Sequence, residues 1–145
     1  MLTIVKTLDP QLASHLRMSV MRLARRLRQE RTTDEHTTSQ LSALATLDRR
    51  GPLTLAELAA AERVQPPSMH RIVGHLEEAA LLTRSAHPTD GRQVLLAATP
   101  EGTRLLAADR KRRDAWLHRR LATLDADEVE TLRAAADVLE RLASE

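Results

Sequence analysis

Two consecutive prolines, Pro66 and Pro67, restrict this chain more than any other neighbouring pair. Proline has no backbone N–H and holds φ at about −65°, so the pair is at home in the first turn of a helix, where the amides have no partner anyway. A helix therefore starts there, and the preceding element ends at the short break Arg63-Val64-Gln65. Met69, Ile72, Val73 and Leu76 follow at three- and four-residue spacing, an apolar stripe that leaves Ser68, His70, Arg71 and His75 on the outer face. Val64 and Met69 are spaced as a hydrophobic staple across this start. Upstream, Thr54-Leu-Ala-Glu57 is a capping box opening a short helix whose Leu55, Leu58 and Ala59 face inward.

Downstream, Leu81–Ser85 and Gln93–Ala97 are strand-like, and the connection Ala86–Arg92 contains proline, aspartate and glycine, which favour a turn. Two helices with a short turn and then a hairpin predict a winged helix-turn-helix from Thr54 to Thr99. Such a unit places its second helix in the DNA major groove, with the wing beside it.

The flanks are helical. Leu12, Leu16, Val20, Leu23 and Leu27 mark an amphipathic helix from about Pro10 to Glu30, with Arg22, Arg25, Arg26 and Arg28 on its other faces. A linker, Arg31–His36, precedes a second capping-box candidate, Thr37-Thr-Ser-Gln40. Its helix carries Leu41, Leu44 and Leu47 to Arg49 or Arg50, where Gly51-Pro52 stops it. Thr99-Pro100-Glu101 starts a helix reaching about Leu121, and its charged middle, Arg110-Lys-Arg-Arg113, reads as a solvated face. Asp125-Ala-Asp-Glu128 starts the last helix, striped by Val129, Leu132, Ala136, Leu139 and Leu142. The fold class expected is mainly α with a small β-hairpin wing: a winged helix-turn-helix plus a helical dimerisation region. Its parts are 1–36, an N-terminal dimerisation helix and linker; 37–99, the DNA-binding region; and 100–145, C-terminal dimerisation helices, all within one structural unit. The terminal stripes exceed what the small centre can cover. They predict a two-fold dimer held by Leu12, Leu16, Val20, Leu132, Leu139 and Leu142, against the alternative of a monomer whose three long helices bundle on themselves.

The kind of partner follows from charge and aromatic content. Formal net charge is +2, but Leu121–Glu145 holds seven acidic residues and two arginines, a net −5, which leaves +7 on the first 120 residues. Lys6 and Lys111 are the only lysines, so the basic side is nearly all arginine, suited to bidentate phosphate and guanine contacts. A solvated arginine-rich surface is the competing reading. Trp116 is the sole aromatic residue, which argues against base-stacking readers of single strands or RNA and leaves duplex DNA. The chain has no cysteine, no signal peptide and no run of about 18 apolar residues, so a cytoplasmic protein without membrane contact is expected. His15, His36, His87 and His118 form no metal pattern. No phosphate loop, nucleophile elbow or metalloprotease motif is present, so neither a cofactor nor enzymatic activity is expected.

The order of Gly51-Pro52, Thr54-Leu-Ala-Glu-Leu58, the second helix, Leu76-Glu-Glu-Ala-Ala-Leu-Leu-Thr-Arg84, Asp90-Gly-Arg92 and Leu96-Ala-Ala-Thr-Pro-Glu-Gly102 resembles the MarR family of bacterial transcriptional regulators over nearly the whole chain. Its sharpest parts are the Asp-x-Arg of the wing and the Thr-x-x-Gly that follows. The resemblance implies a homodimer with winged-helix domains, a dimerisation region made of both termini, and often a small-molecule effector pocket between the two regions. Ser68 and Arg71 match recognition-helix positions that contact DNA, Arg92 the wing arginine that enters the minor groove, and Asp90 the acid that holds it. Ala80 stands where the family commonly has glycine at a left-handed helix end, and Gly91 where it has arginine. The full candidate DNA-binding set is Pro67, Ser68, His70, Arg71, His75, Arg84, Asp90 and Arg92, with Asp90 expected to aim the Arg92 guanidinium. The function expected is a sequence-specific duplex-DNA regulator, a repressor on an inverted repeat. A dimeric winged-helix module for protein–protein interaction is the alternative.

Overall fold

A computed structural model describes residues 8–144, so Lys6 and Glu145, counted above, lie outside the described residues. Among the described residues there are six helices and one three-stranded antiparallel sheet. Helix α1 (Pro10–Arg28) starts at Asp9, whose carboxylate accepts the Gln11 amide at 2.9 Å, with Pro10 in the first turn. Helix α2 (Thr38–Arg50) carries the reciprocal Thr37–Gln40 box, and its end is Gly51 at φ +82°, a left-handed value that suits glycine. Strand β1 (Leu53–Thr54) runs straight into helix α3 (Leu55–Glu62), for which Thr54 and Glu57 form the capping box. Helix α4 (Pro66–Glu78) begins on the two prolines. Strands β2 (Leu82–Ala86) and β3 (Val94–Ala98) form the wing, followed by helices α5 (Pro100–Leu121) and α6 (Ala126–Ala143).

The wing strands sit one residue later than the sequence pattern suggests, for a backbone reason. Leu81 does not begin the strand because its amide donates back to the Leu76 carbonyl at 2.9 Å while Ala80 donates to Glu77, which together close α4 in a Schellman motif. Ala80 takes the left-handed conformation, φ +60°, without the glycine that usually occupies such a position. The steric cost for an L-residue there is about 1–2 kcal/mol, offset here by the two closing hydrogen bonds and by burial of Leu81. Arg63 ends α3 in the same way, at φ +53°. Strand β1 is an addition to the expected hairpin: it pairs antiparallel with β3, Leu53 opposite Leu96, giving the order β1-β3-β2. Two residues are too short to show any periodicity, and Thr54 doubles as the cap of α3.

The chain divides into two compact units, one of Arg31–Arg112 and one of the residues up to Glu30 with those from Arg113 onward. The core of the first is Leu44 and Leu47 of α2, Leu58 of α3, Met69, Val73 and Leu76 of α4, and Leu96 of β3, all essentially inaccessible to water. Each such leucine contributes about 1.5–3 kcal/mol relative to an exposed one. Glu62 at the end of α3 accepts from the hydroxyls of Ser42 (2.8 Å) and Thr46, tying α3 to α2. Asp109 is an unexpected burial, 2% exposed, where it accepts the Thr32 amide at 2.6 Å. In the second unit neither α1 nor α6 contributes a buried residue, and Trp116, 9% exposed, has the Arg26 and Arg120 guanidinium carbons 4.7 and 5.3 Å from its ring centre. No helix among the described residues is long and apolar enough to cross a membrane.

The Thr-x-x-Gly segment is explained by contact with the end of α4. Thr99 donates its amide to the Leu81 carbonyl at 3.0 Å and its hydroxyl to the Ala80 carbonyl at 2.7 Å, and the same hydroxyl accepts the Gly102 amide. This seats Gly102 so close that a Cβ would run into the Leu81 carbonyl oxygen and lie 3.1 Å from Leu44 Cδ1. Gly102→Ala should therefore destabilise the protein by about 1–3 kcal/mol, because the obstructing atom is backbone and cannot rotate away. The check is the denaturant midpoint at unchanged slope; a loss under about 0.5 kcal/mol would show that Leu81 can shift at little cost.

Candidate nucleic-acid interface

The α3–turn–α4 unit exists because both of its helix ends are specified locally. Arg63 in the left-handed region turns the chain sharply, Val64 and Arg63 donate to Ala59 (2.9 Å) and Ala60 (3.2 Å), and the prolines restart the helix three residues later. Gln65, which precedes α4, makes no side-chain cap, so the start of the helix is left open. Burial of Met69, Val73 and Leu76 fixes which way α4 faces, and Pro67, Ser68, His70 and Arg71 are exposed as their spacing requires.

His75 departs from that pattern. It is half-buried, with its Nε2 3.0 Å from Nδ1 of His36, a residue only 7% exposed, so it lies between α4 and the linker instead of on the outer face. One imidazole donates and the other accepts, with the rings in an edge-to-face arrangement. The carbonyl of His36 in turn accepts from Arg31 at 2.9 Å. Helical spacing could not reveal this pairing, because His36 lies on another element.

The wing stands beside α4. Arg84 on β2 is drawn to Glu77 on α4, Nε to carboxylate 2.6 Å, so its guanidinium is already engaged within the protein. Both side chains are over a third exposed, and the pair is worth about 0–1 kcal/mol; it braces the hairpin more than it stabilises the fold. His70, Arg84 and Arg92 line a groove of 410 Å³ together with Leu55 and Leu96. Arg71 and Arg92 are exposed and take part in no ion pair among the described residues.

Asp90 does not aim the Arg92 guanidinium as expected. Its Oδ1 accepts the backbone amide of Arg92 at 3.0 Å, and its carbonyl accepts the Gln93 amide at 3.1 Å, so the aspartate shapes the turn that carries the arginine. A neighbour, His87, does related work that sequence reading missed: its Nδ1 accepts the amides of Thr89 (3.2 Å) and Asp90 (3.1 Å). The available signal was its place before Pro-Thr-Asp-Gly, where a side-chain acceptor could bond amides two and three residues ahead. Among the described residues no cluster of three or more His, Cys, Asp or Glu side chains could hold a metal ion. The reading unit is also nearly neutral, since Arg31–Arg112 contains eleven basic and ten acidic residues, a net +1. The basic excess noted in the sequence thus lies mostly outside it.

Removing the Asp90 carboxylate should loosen the turn. Asp90→Ala is expected to speed amide hydrogen exchange at Arg92 about 2- to 10-fold, the equivalent of one net hydrogen bond, while Asp90→Asn leaves it near the wild-type rate. Equal rates in all three proteins would assign the turn to the backbone alone.

Comparison with known proteins agrees with this architecture. A family model described as MarR family matches residues 37–94. An uncharacterised helix-turn-helix-type transcriptional regulator of Mycobacterium bovis is 45% identical over 94% of this chain and 96% of its own, and a Mycobacterium tuberculosis regulator of the same type matches equally well. Among solved structures, a candidate transcriptional regulator of Pseudomonas aeruginosa superposes with TM-score 0.84 at 40% identity, covering 93% of this chain and 96% of that one. A mutant of MepR from S. aureus bound to an oligodeoxyribonucleotide shares the fold, TM-score 0.71 at 21% identity, over 94% and 99% of the two chains. The winged helix-turn-helix, its exposed recognition helix and these relatives agree: the chain belongs to the MarR family of DNA-binding transcriptional regulators and is not an enzyme.

Proposed function

We propose that this regulator binds an inverted-repeat operator on duplex DNA as a homodimer and represses transcription, with a small-molecule effector releasing it as the family resemblance implies. The observation that carries the reading is the pair of arginines without an ion pair among the described residues, Arg71 on α4 and Arg92 on the wing, with His70 and Arg92 opening on one groove. In a major-groove docking, α4 presents Ser68, His70 and Arg71 to base edges, Pro67 lies at its start, and the wing brings Arg92 to the flanking minor groove. Arg84 braces the wing against Glu77, Asp90 holds its turn, and His75 supports α4 through His36. Because the reading unit is nearly neutral, discrimination falls to a few placed side chains more than to bulk attraction.

The homodimer is supported by the apolar side chains that the chain leaves exposed. Leu12, Leu16 and Val20 of α1 and Leu132, Leu139 and Leu142 of α6 are all more than a third accessible. A second copy covering them would supply about 1.5–3 kcal/mol for each fully buried leucine.

Selection of bound duplexes from a random pool tests the function: enrichment of an inverted repeat supports the reading, and enrichment of nothing would return the fold to a protein-binding role. On the selected site Arg71→Ala should cost about 1–3 kcal/mol and much less on random duplex; equal losses would make Arg71 a phosphate contact. Leu139→Asp should dissociate or unfold the dimer, and a wild type that is monomeric at micromolar concentration by light scattering would refute the assembly.

A further inference from the structure

We propose that His87 is a positioning residue for Arg92, acting through an unprotonated Nδ1 that presets the wing turn; the proposal rests on the DNA-binding reading of the wing given above. Nδ1 is attached to Cγ of histidine as Oδ1 is in asparagine, so it can serve as the acceptor of an Asx-type turn. It does so twice, for the amides of Thr89 and Asp90 at 3.2 and 3.1 Å, and neither of those amides has a strand partner. Both amides need the lone pair of Nδ1, so the tautomer that makes these contacts is the one with its hydrogen on Nε2, and the Thr89 hydroxyl lies 3.4 Å from the same nitrogen.

The position of His87 in the hairpin makes the contact consequential. Its backbone amide donates to the Gln93 carbonyl at 3.3 Å, beyond the last paired residues of the strands, Ala86 and Val94, so the ring sits where the ladder gives way to the turn. From there the bonds run in series. His87 holds the Asp90 amide, Asp90 holds the Arg92 amide through Oδ1, and the Asp90 carbonyl holds Gln93. Gly91 stands between, exposed, with no atom from beyond its two chain neighbours within 4 Å of where a Cβ would lie. Arg92 is therefore carried on a turn whose first fixed point is the imidazole of His87.

The test uses the full chain and two variants of similar exposure. His87→Phe keeps a ring without an acceptor, and His87→Asn restores an acceptor on Cγ. Amide exchange without DNA reads the turn directly: exchange at Thr89 and Asp90 should quicken at least about threefold in His87→Phe and stay near wild type in His87→Asn. Fluorescence anisotropy on the duplex recovered by selection, with A·T-rich flanks, should show about fivefold weaker binding for His87→Phe and wild-type affinity within about twofold for His87→Asn. In an Arg92→Ala background His87→Phe should add nothing. Wild-type exchange and affinity in His87→Phe, or an Asn variant as impaired as the Phe variant, would overturn the proposal. Additive losses with Arg92→Ala would also overturn it, by making His87 a separate DNA contact. If exchange responds as expected but Arg92→Ala binds as wild type, the DNA role of the wing is what fails, and with it the link from His87 to Arg92.

Discussion

The backbone of Leu81 is the point on which the reading unit depends. Its amide ends α4 by bonding to Leu76, its carbonyl accepts Thr99 at the start of α5 and bears on Gly102, and its side chain is buried with the core of α2, α3 and α4. One residue thus sets where the recognition helix stops, where the wing starts and where the next helix begins. The arrangement is short in sequence on one side and long on the other, so it closes the loop containing the whole wing. Ala80 accepts a left-handed conformation to make this possible, which shows that the tertiary contact outweighs local preference at that residue.

From that closure the placement of the recognition surface follows. α4 is held at its C-terminal end by the Schellman bonds and on its inner side by Met69, Val73 and Leu76. His75 adds a polar tie to His36 of the linker, and Glu77 reaches the wing through Arg84. Positions 67, 68, 70 and 71 are left exposed near its start. The wing repeats this logic with less material: three acceptors, the His87 ring, the Asp90 carboxylate and the Asp90 carbonyl, hold its turn. A rigid helix beside a hydrogen-bonded turn is a suitable division of labour for a DNA reader, since base edges demand fixed geometry and groove width demands a side chain that can follow it.

The other unit is built on different physics. Residues of α1 and α6 are accessible throughout, and the exposed leucines and valines alternate with charges. Trp116, buried there, has two guanidinium groups over its ring. Helices of this kind gain most of their stability from covering an apolar face, which is why a second copy of the chain is the fitting complement in the function proposed above.

The sequence by itself determined the elements whose signals are local. Capping boxes at Thr37, Thr54 and Asp125, the prolines at 66–67 and the glycine at 51 placed helix ends to within a residue or two, because each satisfies or removes backbone hydrogen bonds within one turn. Apolar spacing at 3.6 residues likewise showed which face of α4 is buried, and the exposed Ser68, His70 and Arg71 followed from it. The tertiary structure alone decided what depends on residues distant in sequence. It supplied the third strand, where Leu53 meets Leu96; the pairing of His36 with His75, which took a presumed surface histidine inward; and the burial of Asp109 against the Thr32 amide. It also decided the wing turn, where Asp90 bonds a backbone amide and His87 supplies the acceptor, because turn residues name a bend without saying which donor each side chain meets. Periodicity reports the solvent-facing side of one element; which atoms close a contact between two elements is set only once both are in place.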